Sequence, residues 1–262
     1  QYISIESKFE RELRKFKHPQ IKVLSSTRHT HSIRMGDLLG NRFTIKLFEV
    51  TPIQAGQMEK LARKSEKNGL PNYFGYQRFG RDGDSINQAK EMIDGETHIE
   101  DSKLKNFLIS IYQSVFFNDW LEERVLLSRA ANDGKFALLE GDLYQTSEGK
   151  LFTPKSAPLK DFEDKKVVPT GLLCGRGVFR SRGTAGEIEG KYDDPLLYEK
   201  GLRRAAIIFP KEIVIDYMNN FDIMTISFTL PKGSYATVFL ENLASKEFKA
   251  KKVKSKDGKS KK

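Results

Sequence analysis

The residues of this chain best suited to chemistry on a flat ligand stand together between Gly69 and Gly80, which read Gly-Leu-Pro-Asn-Tyr-Phe-Gly-Tyr-Gln-Arg-Phe-Gly. Glycines beside aromatics let a planar ligand approach the backbone while the rings offer a stacking face. Asn72 and Gln77 carry amides able to read a base edge, and Arg78 can hold a phosphate or a carboxylate. The same residues also suit an aromatic loop packed on a core, and composition does not decide between the two.

Other catalytic arrangements fit poorly. The histidines are His18, His29, His31 and His98, with no cysteine or acidic partners at zinc spacing. His29 and His31 would share a face of a strand, a thin basis for a metal. Gly175-Arg176-Gly177 has the start of a dinucleotide loop, but the third glycine is absent and no strand is expected before it. Neither a P-loop nor a strained serine elbow is present. No cofactor and no metal are therefore expected.

The elements that must position the Gly69–Gly80 stretch read clearly on its N-terminal side. Residues 42–50 predict a strand with Phe43, Ile45 and Leu47 on one face and Thr44 and Lys46 on the other. A helix follows at once, with Thr51 as cap, Pro52 at its first position and Gln54 placed to complete a capping box. Asn68-Gly69 stops it. A long helix is expected over about 103–127, where Leu104, Phe107, Leu108, Ile111 and Val115 fall at helical spacing. From Gly134 to Gly190 the composition shifts to glycine, proline and mixed charge, and short irregular elements are expected. Met224, Ile226, Phe228 and Leu230 alternate with Thr225, Ser227 and Thr229, which predicts a half-buried strand. Pro231 to Gly233 should turn the chain, and Ser234 should cap a helix running through Leu243. These elements make an α+β architecture with an antiparallel or mixed sheet.

The 262 residues are enough for one large domain or two smaller ones, and an apolar share of 38% suits a folded chain. Cys174 stands alone, so no internal disulfide forms and a cytoplasmic setting is expected. The longest apolar run, Phe107 to Phe117, is broken by Ser110, Gln113 and Ser114, too short for a membrane. The net charge of +10 is uneven: 246–262 holds nine lysines against Glu247 and Asp257, which leaves only +3 before it. That Lys-rich stretch is expected to be a flexible tail, either a sequence-independent phosphate contact or a solvated end.

Asn72 to Gly80 resembles the Asn-x-Phe-Gly-x-Gln-Arg-Phe-Gly stretch of the TruD pseudouridine synthases. Further blocks resemble the same family in the same order. Upstream stand Arg28-His29, Ile33-Arg34-Met35-Gly36, Leu38, Gly40-Asn41 and Phe43. Downstream come Phe107-Leu108-Ile109-Ser110, Tyr112-Gln113-Ser114 and Phe117-Asn118, then Pro169-Thr170-Gly171-Leu172 and Gly186-Glu187-Ile188-Glu189, and finally Leu230 to Thr237.

The resemblance implies isomerisation of a tRNA uridine to pseudouridine, typically at position thirteen, without cofactor or metal. The target base leaves the stack at a cost of a few kcal/mol. By that resemblance Phe74 receives it, with Asn72 beside the nucleophile and Gln77 and Arg78 as further substrate contacts. Tyr73, Tyr76 and Phe79 are expected to pack. The family nucleophile is an aspartate in a Gly-x-Lys-Asp-x-x-Ala-x-Thr-x-Gln motif. Gln1-Tyr2-Ile3-Ser4 is similar to the end of that motif, and none of Asp37, Asp82, Asp84 or Asp216 stands in a matching context. The catalytic aspartate is thus expected upstream of Gln1, and the chain alone is expected to be inactive without its missing N-terminal segment. The implied architecture is a pseudouridine-synthase catalytic domain, residues 1–97 and 209–245, interrupted by an inserted α/β TRUD domain over 98–208, with the tail at 246–262. The implied partner is tRNA, not a membrane, with Arg28, Arg34, Arg176, Arg180 and Arg182 as candidate RNA contacts. The other reading is a non-catalytic RNA-binding module that keeps the fold.

Overall fold

The computed structural model describes residues 2–34, 37–80, 84–131 and 134–246. Met35, Gly36, Asp82 and the lysine-rich stretch from 247 onward lie outside the described residues. The chain divides into two compact units, Gln1–Leu39 and Gly40–Lys262. In the first, a 3-10 turn, Ser7–Phe9, runs into the short helix α1, Glu10–Lys15.

The second unit begins with strand β1, Gly40–Leu47, whose Phe43, Ile45 and Leu47 are half-buried while Thr44 and Lys46 are exposed. It ends three residues before the expected limit, where Glu49 takes a positive φ of 60°. Helix α2, Pro52–Asn68, starts on the expected capping box: the Gln54 backbone N donates to Thr51 Oγ1 at 3.3 Å, and Thr51 N donates to Gln54 Oε1 at 2.9 Å. Such a cap stabilises the helix by ~0.5–2 kcal/mol, so packing must hold the rest. Then come β2, Leu70–Pro71; α3, Asp84–Ile93; and α4, Ser102–Ala131, one turn longer at its end than the spacing predicts.

The stretch expected as irregular carries regular elements: β3, Leu143–Thr146; β4, Leu151–Phe152; α5, Leu159–Glu163; β5, Val167–Leu173; and α6, Gly183–Glu189. Strand β5 ends just before Gly175, which corrects the expectation that no strand would stand there. Pro169 and Gly171 disguise it. Pro169 lacks an N–H but its carbonyl still accepts from Ala206 N at 2.8 Å. Gly171 is required because any side chain there would collide with the Trp120 ring. Strand β6, Leu202–Ala205, completes a sheet of order β4-β3-β5-β6, antiparallel at every ladder.

The chain then returns through β7, Ile207–Ile208, paired with β2, and through β8, Lys211–Met218, and β9, Ile223–Pro231. Strands β1, β9 and β8 form an antiparallel sheet in that order. Met224, Ile226, Phe228 and Leu230 of β9 are fully buried, as their alternation predicts, and α2 and the last helix, α7, Ala236–Ala244, cover them. The expected Ser234 cap is not made. Tyr235 holds the cap position without a side-chain bond, and the Ser234 hydroxyl is buried with no hydrogen-bond partner among the described residues. The described chain is an α+β fold with antiparallel sheets. Among the described residues no helix is long and apolar enough to cross a membrane.

Candidate active site

The Gly69–Gly80 stretch runs between α2 and α3, and the β2–β7 ladder pins its start, pairing Leu70 with Ile208. Asn72, just beyond β2, is buried. Its backbone N donates to Ala206 O at 2.8 Å and its Nδ2 to Ala205 O at 2.9 Å. Its backbone O and its Oδ1 both accept from Arg204, whose Nη2 lies 2.9 Å from each. Both ends of the Asn72 amide are thus engaged within the protein. It anchors the loop, and reading a base edge would require it to give up a bond.

Phe74 is half-buried and is held from three sides. Asn118 on α4 fixes its backbone, accepting from Phe74 N at 2.9 Å and donating to Phe74 O at 3.0 Å. Its ring meets Phe117 edge-on at 5.6 Å and Tyr235 at 6.0 Å between centroids. The Arg204 guanidinium sits 3.8 Å from the ring centroid, at cation–π distance. Gly75 packs on the start of α7, beside Tyr235, Thr237 and Val238.

Gln77 is exposed and makes no hydrogen bond among the described residues, so its amide faces solvent. Arg78 is half-buried between the Phe74 and Phe107 rings, 5.6 Å from each centroid, and its Nε lies 3.4 Å from Ser114 Oγ. Asn72, Phe74 and Arg78 therefore share one cluster, and Gln77 stands at its rim. Tyr73 is half-buried against the core around α4, and burial, with Glu122 nearby, pushes its phenol up to about 12.

Strand alternation explains Arg203 and Arg204, which are neighbours in sequence but face opposite ways from β6. Arg203 turns toward α6, where Glu189 Oε2 lies 2.7 Å from its Nη1 and Thr170 O 2.6 Å from its Nη2. Arg204 turns to the loop and has no carboxylate partner among the described residues. Burial, assisted by the like charge of Arg78, lowers its pKa to about 10, so it remains cationic at neutral pH. Sequence reading missed Arg204. The pair Arg203-Arg204 in an apolar setting was the available signal, since two charges there must each find a reason to be buried.

The remaining arginines stand elsewhere. Arg176 is exposed, with its guanidinium 3.4 Å from the Tyr198 ring centroid. Arg180 is paired with Asp193, which raises its pKa, so its charge is largely answered within the protein. Arg182 is exposed at the start of α6. In the first unit, Arg28 clasps Glu10 through Nε at 3.0 Å and Nη2 at 2.7 Å, and Arg34 N donates to Asp37 Oδ2 at 2.7 Å. His29 and His31 meet edge-on at 4.5 Å, and no group of three metal-ligating side chains occurs among the described residues.

The family model described as tRNA pseudouridine synthase D (TruD) matches residues 1–99 and 88–243. The chain is 39% identical to tRNA pseudouridine synthase D of a Nitratiruptor species, over 95% of this chain and 77% of that protein. It is 35% identical to the protein of that name from Wolinella succinogenes, again over 95% of this chain and 77% of the relative. A crystal structure of a Methanosarcina mazei protein assigned as tRNA pseudouridine synthase D shares the fold, with a TM-score of 0.66 at 21% identity over 90% of this chain and 76% of the other.

Proposed function

This chain belongs to the TruD family of tRNA pseudouridine synthases, and we propose that it isomerises uridine at position thirteen of tRNA by drawing the base onto Phe74. The observation that carries this reading is the fixed ring: Asn118 holds both backbone groups of Phe74, and Arg204 braces one of its faces. A ring set in advance loses little freedom when a base stacks on it, and such stacking returns ~1–3 kcal/mol. The exposed amide of Gln77 contacts the base or its sugar from the rim, while Asn72 acts by anchoring the loop.

In the reaction the C1′–N1 bond breaks, the uracil turns, and C5 bonds to C1′. The C5 proton leaves and N1 gains one, so the product is an isomer of the substrate. The nucleophile of this proposal is an aspartate in a segment upstream of Gln1, because no aspartate of the chain stands in the family's motif. Residues 98–208 form an insertion whose own sheet is β4-β3-β5-β6, and 1–97 with 209–245 belong to the catalytic domain. Arg176 and Arg182, exposed near Tyr198 and at the start of α6, contact tRNA phosphates, while Arg180 braces that segment through Asp193. Arg28 and Arg34 are RNA contacts of the first unit, and the lysine-rich tail adds a salt-sensitive one. The test is mapping of pseudouridine in a tRNA transcript treated with the protein joined to its upstream segment. Conversion at position thirteen supports the reading, and a binding-competent protein that converts nothing contradicts it.

A further inference from the structure

Helix α4 reaches Phe74 twice, once at its backbone and once at its ring. Asn118 accepts from Phe74 N through Oδ1 at 2.9 Å and donates to Phe74 O through Nδ2 at 3.0 Å. The residue before it, Phe117, meets the Phe74 ring edge-on at 5.6 Å between centroids. A side-chain amide offers an acceptor and a donor side by side, so Asn118 stands where a strand neighbour would, exchanging both bonds with one residue. The exchange has a single sense, since turning the amide over would set N–H against N–H and oxygen against oxygen.

Peptide units are planar, so holding the N–H and the C=O of one residue fixes the two planes that meet at its Cα. The Cα–Cβ bond of Phe74 then has one direction, and Phe117 and Tyr235 set the ring about it. These bonds add little to the anchoring of the loop as a whole. On its N-terminal side Leu70 pairs with Ile208, and Asn72 donates to Ala206 O at 2.8 Å and to Ala205 O at 2.9 Å. On its C-terminal side a 3-10 turn, Tyr76–Arg78, closes with Arg78 N on Gly75 O at 2.9 Å, and Gly75 packs on Thr237 and Val238. Without Asn118 the loop would keep its place. Only Phe74 would gain backbone freedom, its released groups turning to water from a half-buried position. A contact that constrains one residue of an already anchored loop acts on that residue.

We propose that Asn118 is a positioning residue for the isomerisation, holding Phe74 in the one backbone setting that presents the uracil to the nucleophile. This rests on the reading that Phe74 receives the base. With α4 inside the proposed insertion, the insertion then takes part in turnover and not in tRNA capture alone. A misplacement of about 1 Å costs a reaction up to about 100-fold in rate. Affinity for tRNA, in contrast, comes largely from its backbone phosphates. Asn118 therefore acts on rate and not on binding.

The experiment measures the single-turnover rate, per folded molecule, and the tRNA affinity of the protein joined to its upstream segment. Asn118→Ala should react about 10–100-fold more slowly, with little change in affinity. Asn118→Asp keeps the shape but loses the donor to Phe74 O. It should slow in the same way, and it carries the test if the alanine variant fails to fold. Ser128→Ala is the structural control, since Ser128 lies on the same helix and bonds to Arg124 O and Ala137 N, away from the loop. It should melt earlier and react at the unaltered rate. Because Asn118 acts through Phe74, Phe74→Leu combined with Asn118→Ala should be no slower than Phe74→Leu alone. An unaltered rate in the folded Asn118 variants, with Phe74→Leu still slow, would overturn the positioning role and leave the reading of Phe74 standing. Losses that multiply in the double variant would overturn it equally. An unaltered rate in Phe74→Leu would overturn the base-receiving reading and the positioning role together.

Discussion

The guanidinium of Arg204 lies 3.8 Å from the centroid of the Phe74 ring while its Nη2 donates to both oxygens of Asn72. One cation, 132 positions downstream of Asn72, thus holds the two residues that the loop motif marks. The contact joins the four-stranded sheet to the loop, so the geometry of the Phe74 ring depends on both.

Phe74→Leu should reduce turnover on tRNA at least 10-fold, because an aliphatic side chain offers no stacking face. The ring is half-buried against Phe117 and Tyr235, so stability should also fall, by about 1 kcal/mol. Thermal melts and steady-state rates on the same samples separate the two effects. Activity lost only in proportion to unfolded protein would make Phe74 a packing residue.

Asn72→Ala should cost about 1–3 kcal/mol, since it leaves Ala205 O without its donor and removes the side-chain oxygen that Arg204 Nη2 shares with the retained Asn72 backbone O. Urea unfolding measures this. A loss within about 0.5 kcal/mol, the range of a surface substitution, would show that the Asn72 side chain does not anchor the loop.

Arg124 and Asp142 form a buried pair, each side chain 1% exposed, with contacts of 2.7 and 2.9 Å. Asp142→Ala should cost about 3–5 kcal/mol by leaving an unanswered guanidinium. The double change Arg124→Met with Asp142→Leu should cost less than Asp142→Ala alone. If the double variant instead unfolds further, Coulomb attraction rather than desolvation dominates that site.

Cys174 is buried, and burial foremost, with Asp193 and Asp194 adding, pushes its thiol up from 9.0 to about 11. The unfolded thiol ionises first as pH rises, so its contribution is intact below pH 9 and is lost between about 9 and 11. Native protein at about pH 8 should resist thiol reagents and react fully on unfolding. The fall in Tm from about pH 8 to about pH 10 should be smaller in Cys174→Ala; an equal fall would assign the pH effect to other groups.

Local signals in the sequence were legible because local interactions make them. The Thr51–Gln54 box lies within one turn, and the alternation along β9 follows from a single buried face. Ser234 misled because tertiary packing places Tyr235 at the cap. Strand β5 was hidden by Pro169 and Gly171, whose value appears only when Ala206 and the Trp120 ring are brought alongside. The loop motif singles out Phe74 as an expectation, but what holds its ring comes from α4, β6 and the start of α7. No spacing rule connects such distant positions, so the sequence offers the Arg203-Arg204 pair as a signal of buried charge but not its contact with Asn72 and Phe74.

The central claim is that the Phe74 loop presents a tRNA uridine for isomerisation to a carboxylate supplied from upstream of Gln1. Because C5 exchanges its hydrogen for the bond to C1′, tRNA carrying tritium at C5 of uridine releases it only when the reaction occurs. Release of the one tritium carried by the target uridine should be complete with the protein joined to its upstream segment, at least 10-fold slower when Phe74 is changed to leucine, and absent with the 262-residue chain alone. Full release by the bare chain would place the nucleophile among these residues and contradict the account.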